Sequence, residues 1–292
     1  MIHAVQTFGL ILVELLVLFS LISVLVALAN RRFGPDRIES WMADGHLPGP
    51  VKGLLLGAIT PFCSCSTLPV LAGMLKSGVA FRTSMTFLIS SPLLDPIIVA
   101  GVVLLFGWRI ALVYTAVTAA WSLLAPVVWE RLGMASQIKR VKVVGDDRTS
   151  RPWAGLRHEI RPALGEAWSD LRPLLVPMVL GVSVGAGIYG LVPQDQLVAV
   201  AGDDKPWAIP LAAILGVPLY VRIETMLPIG LALSSAGMGL GAVFALMIGG
   251  AGASIPEVSM LTAMFKPRLV VTFVVTVIGT AIAAGYLIPL IA

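Results

Sequence analysis

The chain has 292 residues, of which 58% are hydrophobic and 12% charged, with a formal net charge of +4 and a mean hydropathy of +0.95. A soluble domain carries about 25% charged residues, so this composition excludes a water-covered globule and points to a chain solvated mostly by lipid. The only two cysteines, Cys63 and Cys65, exclude a disulfide framework, because a bridge between residues two apart would be strained.

Apolar stretches long enough to span a bilayer, about 20 residues each, lie near 8–29, 83–106, 109–130, 172–192, 239–262 and 269–291. The first ends in Ala27-Leu28-Ala29, which resembles a signal-peptidase site. No Lys or Arg precedes it, however, and Arg31 and Arg32 follow, so a retained span is expected. Two further stretches, 49–77 and 208–236, are apolar with helix breakers in the middle. Between the halves, 133–170 is hydrophilic and basic. Its later part spaces Trp153, Leu156, Ile160, Leu164 and Trp168 by three and four, as an interfacial helix does, with Pro162 expected to kink or end it.

An internal repeat appears at one constant offset: Asp36 falls on Asp195, Gly57 on Gly216, Pro69 on Pro228, Gly78 on Gly237, Phe106 on Phe265 and Arg109 on Arg268. If 49–77 and 208–236 are re-entrant hairpins, each half crosses three times and the halves are inverted. With the N-terminus outside, 17 of the 20 Lys and Arg then fall on the cytoplasmic side, as the positive-inside rule favours. The expected fold is an all-α polytopic membrane protein of two inverted-topology repeats with interrupted helices and re-entrant hairpins. Its units are 1–132 with hairpin 49–77, the cytoplasmic connector 133–170, and 171–292 with hairpin 208–236.

Broken helices inside a bilayer are tolerated only where they are buried in protein or line a polar cavity, and transporters of this architecture bind substrate where the breaks meet. The offset lays Cys63 on Arg222 and Cys65 on Glu224, so the tips Pro61-Phe62-Cys63-Ser64-Cys65-Ser66 and Pro218-Leu219-Tyr220-Val221-Arg222-Ile223-Glu224 are expected to face one another. Pro61, Cys63, Ser64, Cys65, Ser66, Tyr220 and Arg222 are the candidate substrate-binding residues. The Cys63 and Cys65 thiols are soft ligands suited to a metalloid; read blandly, they are small buried hydrophobes. Charged residues at bilayer depth cost roughly 2.5 to 3.5 kcal/mol each and mark pathways or pairs. Glu224 is the candidate proton carrier, and Arg222 either controls its pKa or contacts an anion; a structural salt bridge is the bland alternative. A second pair of breaks, Ser90 to Pro96 and Gly249 to Glu257, adds Asp95 and Glu257 as secondary proton-coupling candidates.

The tip Pro61-Phe62-Cys63-Ser64-Cys65-Ser66, with Pro69 and Lys76-Ser77-Gly78, resembles the first half of the bacterial and archaeal permease family that contains YraQ-type proteins and the ArsP organoarsenical efflux permeases. Pro218-Leu219-Tyr220, Glu224, Pro228-Ile229, Gly249 to Glu257 and Phe265-Lys266-Pro267-Arg268 match its second half, so the resemblance covers about 50–275. It implies a multi-pass inner-membrane permease and, in the ArsP branch, efflux of trivalent organoarsenicals held by exchangeable thiols. A third cysteine is missing, so a three-thiolate site would need another ligand or another chain.

Three functions follow as expectations. The first is export of a soft metalloid or thiol-reactive solute by proton antiport, which fits the lack of a Walker-type nucleotide loop. The second is a permease for another small solute or anion, such as a sulfur compound. The third is a membrane redox protein using the cysteine pair; His3, His46 and His158 lie away from the tips, against a His-built catalytic metal. A non-enzymatic transporter with no cofactor is expected, with a small-molecule substrate and the bilayer as partners, no nucleic acid, and homo-oligomerisation left open.

Overall fold

The computed structural model describes residues 47–60, 64–139, 159–165, 207–218, 223–235 and 237–291, together with scattered helical residues between 17 and 32 and between 167 and 179. The expected spans 8–29 and 172–192 therefore lie largely outside the described residues. The described residues are all-α, as the sequence predicts. Their main helices are α1 (Gly49–Ile59), α2 (Ser64–Lys76), α3 (Phe81–Ser90), α4 (Pro96–Phe106), α5 (Trp108–Arg131), α6 (Ala208–Gly216), α7 (Ile223–Ser235), α8 (Leu240–Gly252), α9 (Ile255–Met264) and α10 (Pro267–Leu287).

Local sequence sets these boundaries. Pro50, Pro96, Pro256 and Pro267 occupy the first turns of α1, α4, α9 and α10, where a missing N–H costs nothing. Thr60 is extended (φ −88°, ψ 114°) because Pro61 follows it, which ends α1; its Oγ1 donates back to the Leu56 carbonyl at 2.6 Å. Helices α2 and α7 end alike. Gly78 (φ 77°) and Gly237 (φ 99°) take the left-handed position, Val79 N donates to Met74 O, and Met238 N donates to Leu233 O.

The helix starts 49, 64, 81, 96 and 108 recur at 208, 223, 240, 255 and 267, the same offset each time. Contacts recur too: α1 packs along α3 as α6 does along α8, and α3 along α5 as α8 does along α10. Across the halves the pairing is reciprocal, α4 with α7 and α2 with α9, while α5 meets α10 directly.

Helices α3 and α4 together run antiparallel to α5. At one end Arg82 Nε donates to Glu130 Oε2; at the other, Gly107 alone (φ 92°) joins α4 to α5. A span of 24 residues is about 36 Å long, more than the roughly 30 Å of hydrocarbon. Helix α5, the 25 residues Leu240–Met264 and the 21 residues of α10 are each long and apolar enough to cross.

Helices α1 and α2, of 11 and 13 residues, measure roughly 17 and 20 Å, too short to cross singly. Gly53 lies against the Thr83 carbonyl and Gly57 against Ser90, so α1 runs from the start of α3 towards its end. Thr67, near the start of α2, bonds Ser91 at 2.9 Å, and Val79, just past its end, accepts from Ser84. Helix α1 thus runs from beside Arg82 to the α3–α4 break, and α2 leads back from that break. The counterpart pair repeats the path: Ile209 meets Gly241, Gly216 meets Leu246 and Gly250, and Gly230 meets Val243 and Met247 on the way back to α8.

Lys266, just before α10, stands at the Arg82–Glu130 end. Its N–H donates to Gln137 O, the Lys139 N–H donates to Met264 O, and Ile138 bridges Phe265. Helix α10 runs from there to the opposite end, where Gly285 meets Gly241. Arg82, Arg131, Lys139, Lys266 and Arg268 consequently gather at one end of the bundle, called here the basic end.

The core is continuous across the halves, centred on Phe244 with Phe106 and Tyr114 at ring distances of 5.1 and 6.0 Å. Leu104 (83% exposed), Leu124, Val271 and Val275 face outwards, the apolar belt that lipid covers. In the connector, residues 159–165 are helical, so Pro162 does not end a helix there. Ile160, Leu164 and Trp168 are exposed, and Ala163, Ala167 and Leu171 are buried. One apolar face against the bundle and another turned outwards suits a helix lying on a membrane surface.

Candidate functional site

Both long broken spans are interrupted near half depth. The ten residues of α3 and eleven of α4 place the first break about 15 Å from either end, and α8 and α9 do the same for the second within a few ångströms. The breaks meet, with Leu93 packing on Gly252. Tyr114 OH donates to Leu93 O at 2.6 Å and satisfies a carbonyl that the interruption would otherwise leave bare. The first re-entrant pair ends here through the Thr67–Ser91 bond, and the second through Gly216 beside Gly250. The N-termini of α2, α4, α7 and α9 thereby reach the middle of the bundle, each carrying about half a positive charge.

Of the predicted site residues, Pro61, Cys63, Tyr220 and Arg222 lie outside the described residues. Ser64 opens α2, with Cys65 and Ser66 in its first turn, and Glu224 follows Ile223 at the start of α7. Two prolines act on these same turns. Pro69 has no N–H to donate to the Cys65 carbonyl, and Pro228, its counterpart in the second half, has none for the Glu224 carbonyl. Each tip therefore presents a backbone acceptor without its helical donor, at the residue the sequence singles out.

Asp95 caps α4: its Oδ1 accepts the Ile97 N–H at 2.7 Å, a bond that contributes about 1 kcal/mol. Glu257 sits in the first turn of α9 and is fully buried. The structure adds Thr67, Ser91 and Tyr114 as the side chains that fix the first tip against the break. Asp-Pro at 95–96 is a readable cap signal, whereas the Tyr114 contact has no local signature.

These features define a polytopic membrane protein with two interrupted helical units meeting at half depth. The pattern of the ArsP_1 family, described as "Predicted permease", matches residues 1–290. The chain belongs to that family and is a membrane permease. It is similar to a UPF0718 protein of Methanocaldococcus jannaschii, 22% identical over 292 residues and covering 80% of each chain. It is also similar to the UPF0718 protein YcgR of Bacillus subtilis, 21% identical over 92% of each chain. A Streptococcus mutans protein provisionally named a two-component membrane permease complex subunit is 24% identical over 91% of this chain and 88% of its own. No solved structure matches the chain.

Proposed function

We propose that the chain is a secondary transporter of the inner membrane, built from inverted repeats 1–132 and 171–292 joined by the cytoplasmic connector 133–170. The observation that carries this reading is the re-entrant path of α1–α2 from the basic end, with α6–α7 taking the same path from the opposite end. Lys and Arg gathered at the basic end make it the cytoplasmic one. Substrate binds between the two tips, against Pro61, Cys63, Ser64, Cys65 and Ser66 on one side and Tyr220 and Arg222 on the other.

The substrate is a soft metalloid or thiol-reactive solute of the trivalent organoarsenical kind. Thiol ligation matches a soft centre, and backbone acceptors at Cys65 and Glu224 suit its hydroxyl groups. Proton antiport uses Glu224 and Glu257, with Asp95 in a secondary role because it already serves as a cap. A second reading, transport of a small anion, draws on the four helix N-termini at half depth and on Arg222.

Uptake of methylarsenite into everted membrane vesicles decides between them. Cys63→Ser/Cys65→Ser is expected to lower uptake at least tenfold while the protein still reaches the membrane. Uptake that survives the double change removes the thiol reading and leaves the anion.

A further inference from the structure

Every described residue between Glu159 and Arg172 is helical, so at about 100° per residue each takes a place around one axis. Ala163, Ala167 and Leu171 form one stripe and are buried, and Leu171 joins the core that the two halves share. Ile160, Leu164 and Trp168 form the next stripe, about 60° further round, and are 38%, 51% and 60% exposed. Arg161 and Arg172, both exposed, follow on the outer edge of that stripe. Glu159 falls on the other side of the buried stripe, and Pro162 and Ser169 lie opposite it, exposed.

One apolar arc thus divides into two. Half is used up against the bundle, and the other half carries three large side chains whose immersion in water would forgo a sizeable hydrophobic gain. The basic edge is open as well, since a β-carbon on Gly165, which lies beyond Arg161 and Arg172 around the axis, would meet nothing within 4 Å.

The chemistry of stripe and edge selects what covers them. Two aliphatic side chains with a Trp suit the boundary between acyl chains and headgroups. Guanidinium groups beside such a stripe stand at headgroup level when it is immersed, and their forked N–H donors match phosphate oxygens. Among the described residues that edge holds no carboxylate, so it favours a headgroup of net negative charge over a zwitterionic one, whose own cation would meet the arginines.

We propose that this helix is a binding surface for anionic phospholipid: Ile160, Leu164 and Trp168 enter the acyl boundary, and Arg161 and Arg172 hold the phosphate headgroup. The surface works in this way whichever solute the permease carries.

Quenching by brominated lipid in liposomes of the full chain tests this without transport. Bimane on Leu164→Cys, in a Cys63→Ser/Cys65→Ser background, is compared with bimane on Val275→Cys, which is 62% exposed on α10 and has no Lys or Arg within one turn in sequence. Phosphatidylglycerol or phosphatidylcholine, each brominated near its headgroup, is added to phosphatidylcholine liposomes at equal mole fraction. At Leu164 the anionic lipid is expected to quench with at least fivefold higher apparent affinity, the effect of one basic side chain near an anionic surface at about 1 kcal/mol. At Val275 the two lipids are expected to quench alike. Arg161→Gln/Arg172→Gln, checked for a single elution peak, is expected to bring the Leu164 ratio to one. Equal quenching by the two lipids at Leu164, quenching there by neither, or a preference that survives the double change overturns the proposal.

Discussion

Valine at Gly216 is expected to destabilise the protein by on the order of 3 kcal/mol, lowering its melting temperature by roughly 10 °C or preventing recovery of folded material. A β-carbon at Gly216 would stand 2.5 Å from Leu246 O and 2.9 Å from Gly250 N. Both are main-chain atoms of α8, and neither can rotate aside. Moving α6 away instead would break its contact along the whole of α8, the most extensive helix pairing among the described residues. Gly57, its counterpart, is closed in the same manner by Ser90 and by Ser91 N. Gly165→Ala is the control: nothing lies within 4 Å of the added carbon, and alanine in helical residues 159–165 gains up to about 1 kcal/mol. Thermal unfolding of purified Gly216→Val and Gly165→Ala in detergent separates the two, and equal melting temperatures would remove the close approach of α6 to α8 from the account.

Glu257→Gln is expected to leave the fold intact and to lower transport driven by a proton gradient at least tenfold. The side chain is fully buried where α9 begins, beside the break that meets Leu93. A carboxylate kept inside the bilayer costs roughly 2.5 to 3.5 kcal/mol, and packing alone gives no reason for it, since the equivalent position in the first half holds Ile98. Glutamine keeps the shape and loses the titratable proton, so a purely structural role predicts near-normal transport. Uptake by Glu257→Gln vesicles, with and without an imposed pH gradient, reads the difference. Undiminished gradient-driven uptake would assign Glu257 to structure.

Much of this arrangement was legible in the sequence because the bilayer leaves few alternatives. Breakers inside 49–77 and 208–236, together with the distribution of basic residues, favour re-entrant hairpins over full crossings. The constant offset between the halves reappears in the helix starts, 49, 64, 81, 96 and 108 against 208, 223, 240, 255 and 267. The breaks read at Ser90 to Pro96 and Gly249 to Glu257 fall where α3 gives way to α4 and α8 to α9. Pro162 reads as a kink or a stop, and helical residues 159–165 exclude the stop. The tie from Tyr114 to Leu93 and the role of Ser91 in holding α2 were not legible, because they depend on how α5 and α2 settle against a break and leave no trace in local periodicity.

The proposed transport site requires two re-entrant tips from opposite membrane faces to meet at half depth. Intramolecular cross-linking of Arg222→Cys to the native Cys63 or Cys65 by a short bifunctional fluorogenic thiol reagent tests it in native membranes. Trp129→Cys/Thr276→Cys serves as the positive control in a Cys63→Ser/Cys65→Ser background, because Trp129 Nε1 and Thr276 Oγ1 are 3.1 Å apart. Fluorescence in the Arg222→Cys protein, lost when Cys63 and Cys65 are replaced by serine and diminished by saturating trivalent arsenical, is the predicted result. A fluorescent control beside an Arg222→Cys protein that stays dark would place the tips apart and contradict the account.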